Sequence, residues 1–142
     1  MIIKVDATNI NDLAKLASKL YSTSANDLVL EFSSVLNSAD NAFYIIKEDK
    51  LIGFAHVSLR RDYVEGTNSS PVGYLEGVYI EPEYRRLGYA KSLIKVCENW
   101  AKDKGCTEFA SDCELENNLS LQFHLKNGFN VANKIICFTK KL

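Results

Sequence analysis

Two segments near the start of the chain repeat apolar residues at helical spacing. The first, at residues 10–20, places them three or four positions apart, which predicts an amphipathic helix. In the second, Ser24 followed by Asp27 resembles a capping box, so a helix is expected from there through Leu36. An apolar run at residues 2–5 precedes both segments and is a strand candidate.

The middle of the chain changes to runs that are rich in β-branched and aromatic residues. Residues 42–47 and 51–59 form two such runs around a short polar turn, which predicts an antiparallel hairpin. Residues 61–71 are polar and turn-forming, as expected of a loop. A third strand is predicted at residues 72–80, ending before Pro82.

Helix and strand patterns alternate in the remaining part of the chain. They predict a helix at 89–104, a strand at 107–111, a helix at 117–126, and one or two final strands between Phe129 and Thr139. A hairpin must pair antiparallel, whereas strand–helix–strand connections favour parallel pairing. The pattern therefore predicts an α/β (α+β) fold, with a mixed central β-sheet and helices on both faces.

Composition narrows the classes of function without choosing one. The 142 residues, 46% hydrophobic and 25% charged, fit one domain over residues 1–142. A net charge of −1 argues against a nucleic-acid partner. No signal peptide or membrane-spanning run is recognisable, so a cytoplasmic protein is expected. The four cysteines form no C-x-x-C pair, which favours reduced thiols and no metal site.

The clearest chemical pattern is Arg85-Arg86-Leu87-Gly88-Tyr89-Ala90, which lies between a predicted strand and an amphipathic helix. A helix begins with unpaired N–H groups and a partial positive charge, which together can bind a pyrophosphate. Gly88 would let the backbone approach such a group closely, and the two arginines could add charge-assisted hydrogen bonds. From these residues alone, a basic helix entry without a ligand remains an open interpretation.

The order R-R-x-G-x-A resembles the signature of the GNAT superfamily of N-acetyltransferases, and the preceding strand and following helix match its context. The segment is not a P-loop, because no Lys-Ser or Lys-Thr pair follows a glycine in the required order, and it does not have the three-glycine pattern of a Rossmann site. The resemblance implies acetyl-coenzyme A (acetyl-CoA) as cosubstrate, with its pyrophosphate bound by the backbone amides of residues 85–90. It also implies that the backbone of Val78, Tyr79 and Ile80 pairs with the pantetheine arm as an added strand would.

The predicted helix at residues 117–126 resembles the second part of that signature. Asn117 stands where the family has an asparagine that contacts the cofactor arm. His124 stands where many relatives have a tyrosine that protonates the departing thiolate, and a histidine has a pKa suited to the same task. The alternative for His124 is a partly buried residue with a structural hydrogen bond.

A narrower resemblance covers most of the chain and is densest from residue 62 onward. The runs YVEGT (63–67), SPVGYLEGVY (70–79), CTEFASD (106–112) and FTKKL (138–142) are similar to aminoglycoside 6'-N-acetyltransferases. This resemblance implies acetyl transfer to the 6'-amine of an aminoglycoside antibiotic by direct attack on the thioester, which confers resistance, and it implies a homodimer. A GNAT enzyme for another small amine or peptide N-terminus, or a non-catalytic CoA-binding sensor, stays an alternative.

Two carboxylates are candidates for the catalytic step. Amide formation requires a neutral amine, so a carboxylate near the thioester can hold the ammonium ion and take its proton, directly or through water. Glu76 lies within an apolar strand, where strict alternation puts it on the face of Tyr74 and Val78 and where an unpaired charge is costly. Asp112 follows the next strand, at the sheet edge where α/β sites collect. The alternatives are an internal arginine partner for Glu76 and a helix cap for Asp112.

The resemblance also implies substrate contacts at three further positions. Tyr63 matches a substrate-contacting position in the polar loop, and Tyr21 stands where relatives often have tryptophan, although each could pack as an ordinary aromatic. Asn133 stands where relatives commonly have an acidic residue that contacts substrate. His56 is expected to be structural, and Gly77 is expected to mark a bulge in its strand.

Overall fold

A five-stranded β-sheet lies at the centre of the protein in a computed structural model, which describes residues 1–142. Its strands follow the chain in spatial order: β1 (Ile2–Lys4), β2 (Asn41–Lys47), β3 (Leu51–Arg60), β4 (Val72–Ile80) and β5 (Phe109–Ser111). The helices are α1 (Ile10–Tyr21), α2 (Ala25–Val35), α3 (Tyr89–Asp103) and α4 (Asn118–Lys126), with a short 3-10 helix at Pro82–Tyr84. None of the helices combines the length and apolar character that a bilayer crossing requires.

Strand pairing confirms the predicted mixed sheet. Strands β1 to β4 pair antiparallel with their neighbours, whereas β4 and β5 pair parallel across the crossover that contains α3. Ser24 caps α2 as predicted, because its hydroxyl accepts a hydrogen bond from the backbone N–H of Asp27 at 3.2 Å, although the reciprocal bond of a capping box does not form. The order and type of the strands and α-helices along residues 1–126 were therefore predictable from local pattern, whereas the short 3-10 helix was not predicted.

Helices cover both faces of the sheet, as predicted. On one face, Phe43 and Phe54 are fully buried against α1 and α2, and on the other, Ala55 and Val57 are buried against Leu93 of α3. Burying a large apolar side chain stabilises a fold by about 1.5–3 kcal/mol. The two apolar layers hold β3 and β4 rigidly at the centre of the molecule.

A β-bulge in β4 changes which side chains share a face. His56 pairs with Gly77 and Val57 pairs with Leu75, so Glu76 is an extra residue on its strand. Beyond the bulge the alternation is reversed, and Val78 packs with the α3 side of the sheet. The predicted placement of Val78 on the face of Glu76 was therefore wrong, because strict alternation does not survive an inserted residue. The bulge expected at Gly77 is confirmed, one residue from the extra position.

The end of the chain departs from the predicted pattern. Residues 129–142 form no strand, although one or two were expected there. Phe129 packs against the core, but the large apolar side chains that follow it are exposed; they are Val131, Ile135, Ile136, Phe138 and Leu142. A strand needs a partner for its backbone N–H and C=O groups, and within one copy of the chain this segment has none.

Candidate active site

Strands β4 and β5 diverge and leave one edge of β4 open. They pair only over three positions, the last of which is Leu75 with Ser111, while β4 continues to Ile80. On the side away from β3, the segment formed by Val78, Tyr79 and Ile80 has no neighbouring strand. Backbone groups on that edge can pair with an extended ligand that contains amides.

The turn that follows β4 presents backbone amides at the start of α3. Gly88 is the N-cap residue with a φ of 90°, and no side chain caps the helix, so its first N–H groups are available to an anion. A β-carbon on Gly88 would meet no protein atom within 4 Å, which leaves space for a ligand. The Arg85 side chain donates from Nε to the backbone oxygen of Ile80 at 2.8 Å.

Arg86 also adopts a left-handed backbone conformation, with a φ of 62°. The sequence contained no signal for this, because arginine is not a residue that favours positive φ. With Gly88, it curls the turn so that successive N–H groups can converge on one anion. The structure thus brings the predicted turn, residues 85–90, next to the open edge of β4.

Glu76 is held by side chains of the neighbouring strand β3. Its Oε1 accepts hydrogen bonds from the Ser58 hydroxyl at 2.6 Å and from Arg60 Nε at 3.0 Å, and its Oε2 accepts one from Arg60 Nη2 at 2.8 Å. Burial raises the pKa of Glu76, but the hydrogen bonds from Arg60 and Ser58 outweigh it and hold the pKa below its usual value. The alternative of an internal arginine partner is therefore realised, and sequence reasoning missed Arg60 itself.

Asp112 is connected to Arg60 and Glu76 through the side chain of Tyr74. The Tyr74 hydroxyl donates a short hydrogen bond to Asp112, and the Arg60 guanidinium carbon lies 3.4 Å from the centroid of the Tyr74 ring. Burial and the neighbouring carboxylate of Asp112 both raise the pKa of Tyr74, so it stays a neutral donor. The structure links Glu76 to Asp112 through the Arg60 guanidinium and the Tyr74 side chain, and it does not show Asp112 as a helix cap.

Tyr21 lies at the end of α1, over the bulge. A β-carbon at Gly77 would collide with the Tyr21 hydroxyl, so the bulge and the ring are in direct contact. Burial, together with the charge of Glu76, raises the pKa of Tyr21 to about 12. Tyr21, for which a substrate contact was predicted, thus lies next to Glu76 and the bulge.

His56 lies on β3 opposite Gly77 of the bulge, and its contacts match the structural role expected of it. Its Nε2 is 2.8 Å from Asn41 Oδ1, and its ring stacks on Phe43 with centroids 4.1 Å apart. Burial lowers the pKa of His56 to about 4, so the ring is neutral near pH 7.

His124 joins α4 to the end of β5. Its Nε2 is 2.8 Å from the Ser111 hydroxyl and its Nδ1 is 2.7 Å from the backbone oxygen of Ser120. Both ring nitrogens are thus engaged within the protein, as the structural alternative for His124 required. Asn117 is the N-cap of α4 and accepts a hydrogen bond from Ser120 N at 3.0 Å, which leaves its side-chain amide nitrogen for another partner.

Two of the predicted substrate contacts lie in exposed segments. Tyr63 is 75% exposed in the loop between β3 and β4, and its oxygen accepts only a long hydrogen bond, 3.4 Å, from Gly66 N. Asn133 donates from Nδ2 to Glu65 Oε1 at 3.0 Å, so the end of the chain runs beside that loop. No hydrogen bond connects Tyr63 or Asn133 to Glu76.

Comparison with known proteins points to one group of enzymes. The acetyltransferase (GNAT) family model matches residues 8–129. The aminoglycoside N(6')-acetyltransferase type 1 of Acinetobacter haemolyticus is 38% identical over 135 residues, which are 94% of this chain and 93% of that protein.

Solved structures of such enzymes have the same fold over the whole chain. The ligand-free aminoglycoside 6'-N-acetyltransferase AAC(6')-IG from Acinetobacter haemolyticus has a TM-score of 0.95 at 37% identity, covering 100% of this chain and 99% of that one. AAC(6')-Iy in complex with the bisubstrate analogue CoA-S-monomethyl-acetylneamine has a TM-score of 0.94 at 33% identity, covering 100% and 98%.

Proposed function

Because the chain belongs to the aminoglycoside 6'-N-acetyltransferases of the GNAT acetyltransferase family, we propose that it acetylates the 6'-amine of aminoglycoside antibiotics with acetyl-CoA and thereby confers resistance. The observation that carries the proposal is the pair of carboxylates, Glu76 and Asp112, which are linked through Arg60 and Tyr74 beside the open edge of β4. The carboxylates can bind the ammonium groups of an acceptor with several amines. The open strand edge beside them can pair with the amide-containing arm of a thioester donor.

The residues around the open edge fit acetyl-CoA. The edge at Val78–Ile80 can pair with the pantetheine amides, and the turn at residues 85–90 offers free N–H groups to the pyrophosphate. The free side-chain nitrogen of Asn117 can donate to the arm. When bound, acetyl-CoA supplies a thioester carbonyl that a neutral amine attacks directly.

Glu76 and Asp112 deal with the charge of the acceptor amine. Because its pKa lies below the usual value, Glu76 stays ionised near pH 7 and attracts the ammonium form of the amine. The same low basicity favours passing the proton of the amine to water rather than keeping it on Glu76. Tyr21 and Tyr63 offer aromatic surface to the sugar rings, and Asn133 a neutral hydrogen-bonding group.

His124 would serve the departing thiolate through Ser111. Its Nε2 contacts the Ser111 hydroxyl, which lies where β4 and β5 diverge. A protonated His124 can donate through that hydroxyl once the hydroxyl turns away from the backbone oxygen of Leu75, to which it now donates at 3.2 Å. Direct donation would require His124 Nε2 to leave Ser111.

We extend the proposal to a homodimer that acts in the cytoplasm. The exposed apolar residues of the segment 129–142 and the short edge strand β5 both lack a partner within one chain, and a second copy can supply one. The cytoplasm contains acetyl-CoA, which the proposed reaction consumes.

A matched pair of antibiotics tests the reaction. Neomycin has an amine at the 6' position and paromomycin has a hydroxyl there, so we expect release of free CoA with neomycin, a product acetylated at 6', and little release with paromomycin. Spermidine, and acetyl-CoA without any acceptor, complete the panel. Preference for spermidine would favour another GNAT acetyltransferase, and CoA binding without release on any amine would favour a sensor.

A further inference from the structure

The Arg60 guanidinium is the cation that Glu76 and the ring of Tyr74 bind in this structure. Arg60 is the last residue of β3, and its guanidinium forms two hydrogen bonds with Glu76 while it stacks on the ring of Tyr74. The Tyr74 hydroxyl in turn binds Asp112. The guanidinium is therefore bound as an organic cation is bound in a recognition site, by a carboxylate at its edge and an aromatic ring at its face.

This arrangement leaves little of Glu76 for a substrate. A carboxylate offers about four acceptor positions, and Ser58 Oγ, Arg60 Nε and Arg60 Nη2 occupy three of them. An incoming ammonium group could use only the remaining position and would approach a group of like charge, which is unfavourable. The arrangement therefore opposes the binding of a cation while Arg60 stays in place.

The Arg60 side chain can leave at small cost. It is 43% exposed, whereas Glu76 is 25% exposed, so water can hydrate the guanidinium once it moves away from the more buried carboxylate. Its neighbour Arg61 faces elsewhere and pairs with Asp40 at 2.8 Å. Of the two adjacent arginines, only Arg60 contacts a carboxylate of the site, that of Glu76.

We infer that Arg60 is an internal competitor for the acceptor amine: its guanidinium occupies the cation position at Glu76, over the Tyr74 ring, and is displaced when a polycationic substrate binds. The inference rests on the proposed function and deepens it. A substrate with several ammonium groups replaces the lost ion pair with more than one new contact, whereas a compound with a single charge does not. Arg60 therefore selects for polycationic acceptors.

Calorimetry with the full chain tests the inference. The protein is saturated with CoA, which cannot be turned over, and kanamycin is titrated into the wild type and into the variants Arg60→Gln, Arg60→Lys and Arg61→Gln. Arg61→Gln removes the same charge one residue away and measures the long-range effect alone. We expect about tenfold tighter kanamycin binding in Arg60→Gln than in Arg61→Gln, since a competing like charge at close range is removed.

Arg60→Lys keeps the charge but loses the two-point contact with Glu76, so we expect an affinity between those of the wild type and Arg60→Gln. The CoA affinity of each variant reports whether the fold is intact, and Arg60→Lys decides the matter if Arg60→Gln does not fold.

Kanamycin binding to Arg60→Gln that equals or is weaker than binding to Arg61→Gln would overturn the inference. So would a kanamycin complex in which Arg60 still contacts Glu76. If no variant and no wild-type protein binds kanamycin, the proposed function fails, and this inference fails with it.

Discussion

The polar side chains of the candidate site are each bound by a specific neighbour. Glu76 is bound by Ser58 and Arg60, and Asp112 by Tyr74. The hydrogen bonds from Ser58 and Tyr74 orient the two carboxylates before a ligand arrives, which lowers the cost of reorganisation during a reaction, whereas Arg60 is the partner that we infer a substrate displaces. The pairing also means that the removal of one partner leaves another polar group unsatisfied.

Neutralising the carboxylates tests their role. We expect Glu76→Gln and Asp112→Asn to lower the turnover of an aminoglycoside about 10²-fold or more, because neither amide can balance the ammonium charge, while the Kd of acetyl-CoA changes little. Turnover is followed by CoA release and the Kd by calorimetry. Asp12→Asn is the control, since Asp12 pairs with Lys47 away from the site. Wild-type turnover in both variants would contradict the assigned roles.

His56 should make the stability of the protein depend on pH. Burial lowers its pKa from 6.5 to about 4, so between these values the unfolded chain binds a proton that the folded protein does not. The stabilisation is complete above pH 6.5 and is lost as the pH falls towards 4, by up to about 3 kcal/mol from this residue. The negative charge of Glu76 acts in the opposite direction and raises the pKa of His56, but burial outweighs it.

The variant His56→Phe keeps an aromatic ring against Phe43 and removes the titration. Urea unfolding at pH 7.5 and pH 4.5 should show a smaller loss of free energy of unfolding for the variant than for the wild type. Equal losses in the two proteins would show that His56 does not titrate as proposed.

At the scale of elements, a few backbone conformations shape the site. The extra residue at Glu76 turns that carboxylate towards Ser58 and Arg60, and positive φ angles at Arg86 and Gly88 curl the turn ahead of α3. Both features lie at the ends of regular pairing, where the backbone can present groups to a ligand.

Substitutions of the two glycines at opposite ends of α3 distinguish the effect of backbone strain from the effect of losing contact with a ligand. Gly88 and Gly105 have φ values of 90° and 88°, and neither has a protein atom within 4 Å of an added β-carbon. We expect Gly88→Val and Gly105→Val to lose similar stability, about 1 kcal/mol or more for a non-glycine residue at positive φ. Only Gly88→Val should lose acetyl-CoA affinity, by about tenfold or more. Unchanged affinity in calorimetry would count against the proposed pyrophosphate turn.

At the scale of the whole molecule, the β5 edge of the sheet is unpaired and the end of the chain is not packed against the core. β5 has three residues and one neighbour, and Phe138 is 86% exposed in the segment beyond α4. Unpaired edges and exposed apolar residues favour association between copies of a chain. The proposed dimer would satisfy both.

The dimer is tested by charge introduced into this segment. Light scattering should give the mass of a dimer for the wild type and of a monomer for Ile136→Asp combined with Phe138→Asp, because an interface does not tolerate two buried unpaired charges. Leu30→Asp is the control, since Leu30 is an equally apolar residue that is exposed on α2. A monomeric wild type would refute the dimer and leave the proposed reaction untouched.

Local patterns in the sequence determined the order and type of the elements up to α4, the capping of α2 and the turn at residues 85–90. Each of these depends on residues a few positions apart, through hydrogen-bonding side chains, hydrophobic periodicity or a glycine. The resemblance to aminoglycoside acetyltransferases, carried by runs such as that around Glu76, supplied the identity of the family.

Only the tertiary structure decided which distant groups meet. Arg60 reaches Glu76 across 16 positions, and Tyr74 reaches Asp112 across 38. The placement of Val78 followed from the bulge between two strands, which no single-strand pattern encodes. Pairing, register and the absence of strands beyond Phe129 depend on contacts between separate parts of the chain, and periodicity along one segment carries no information about them.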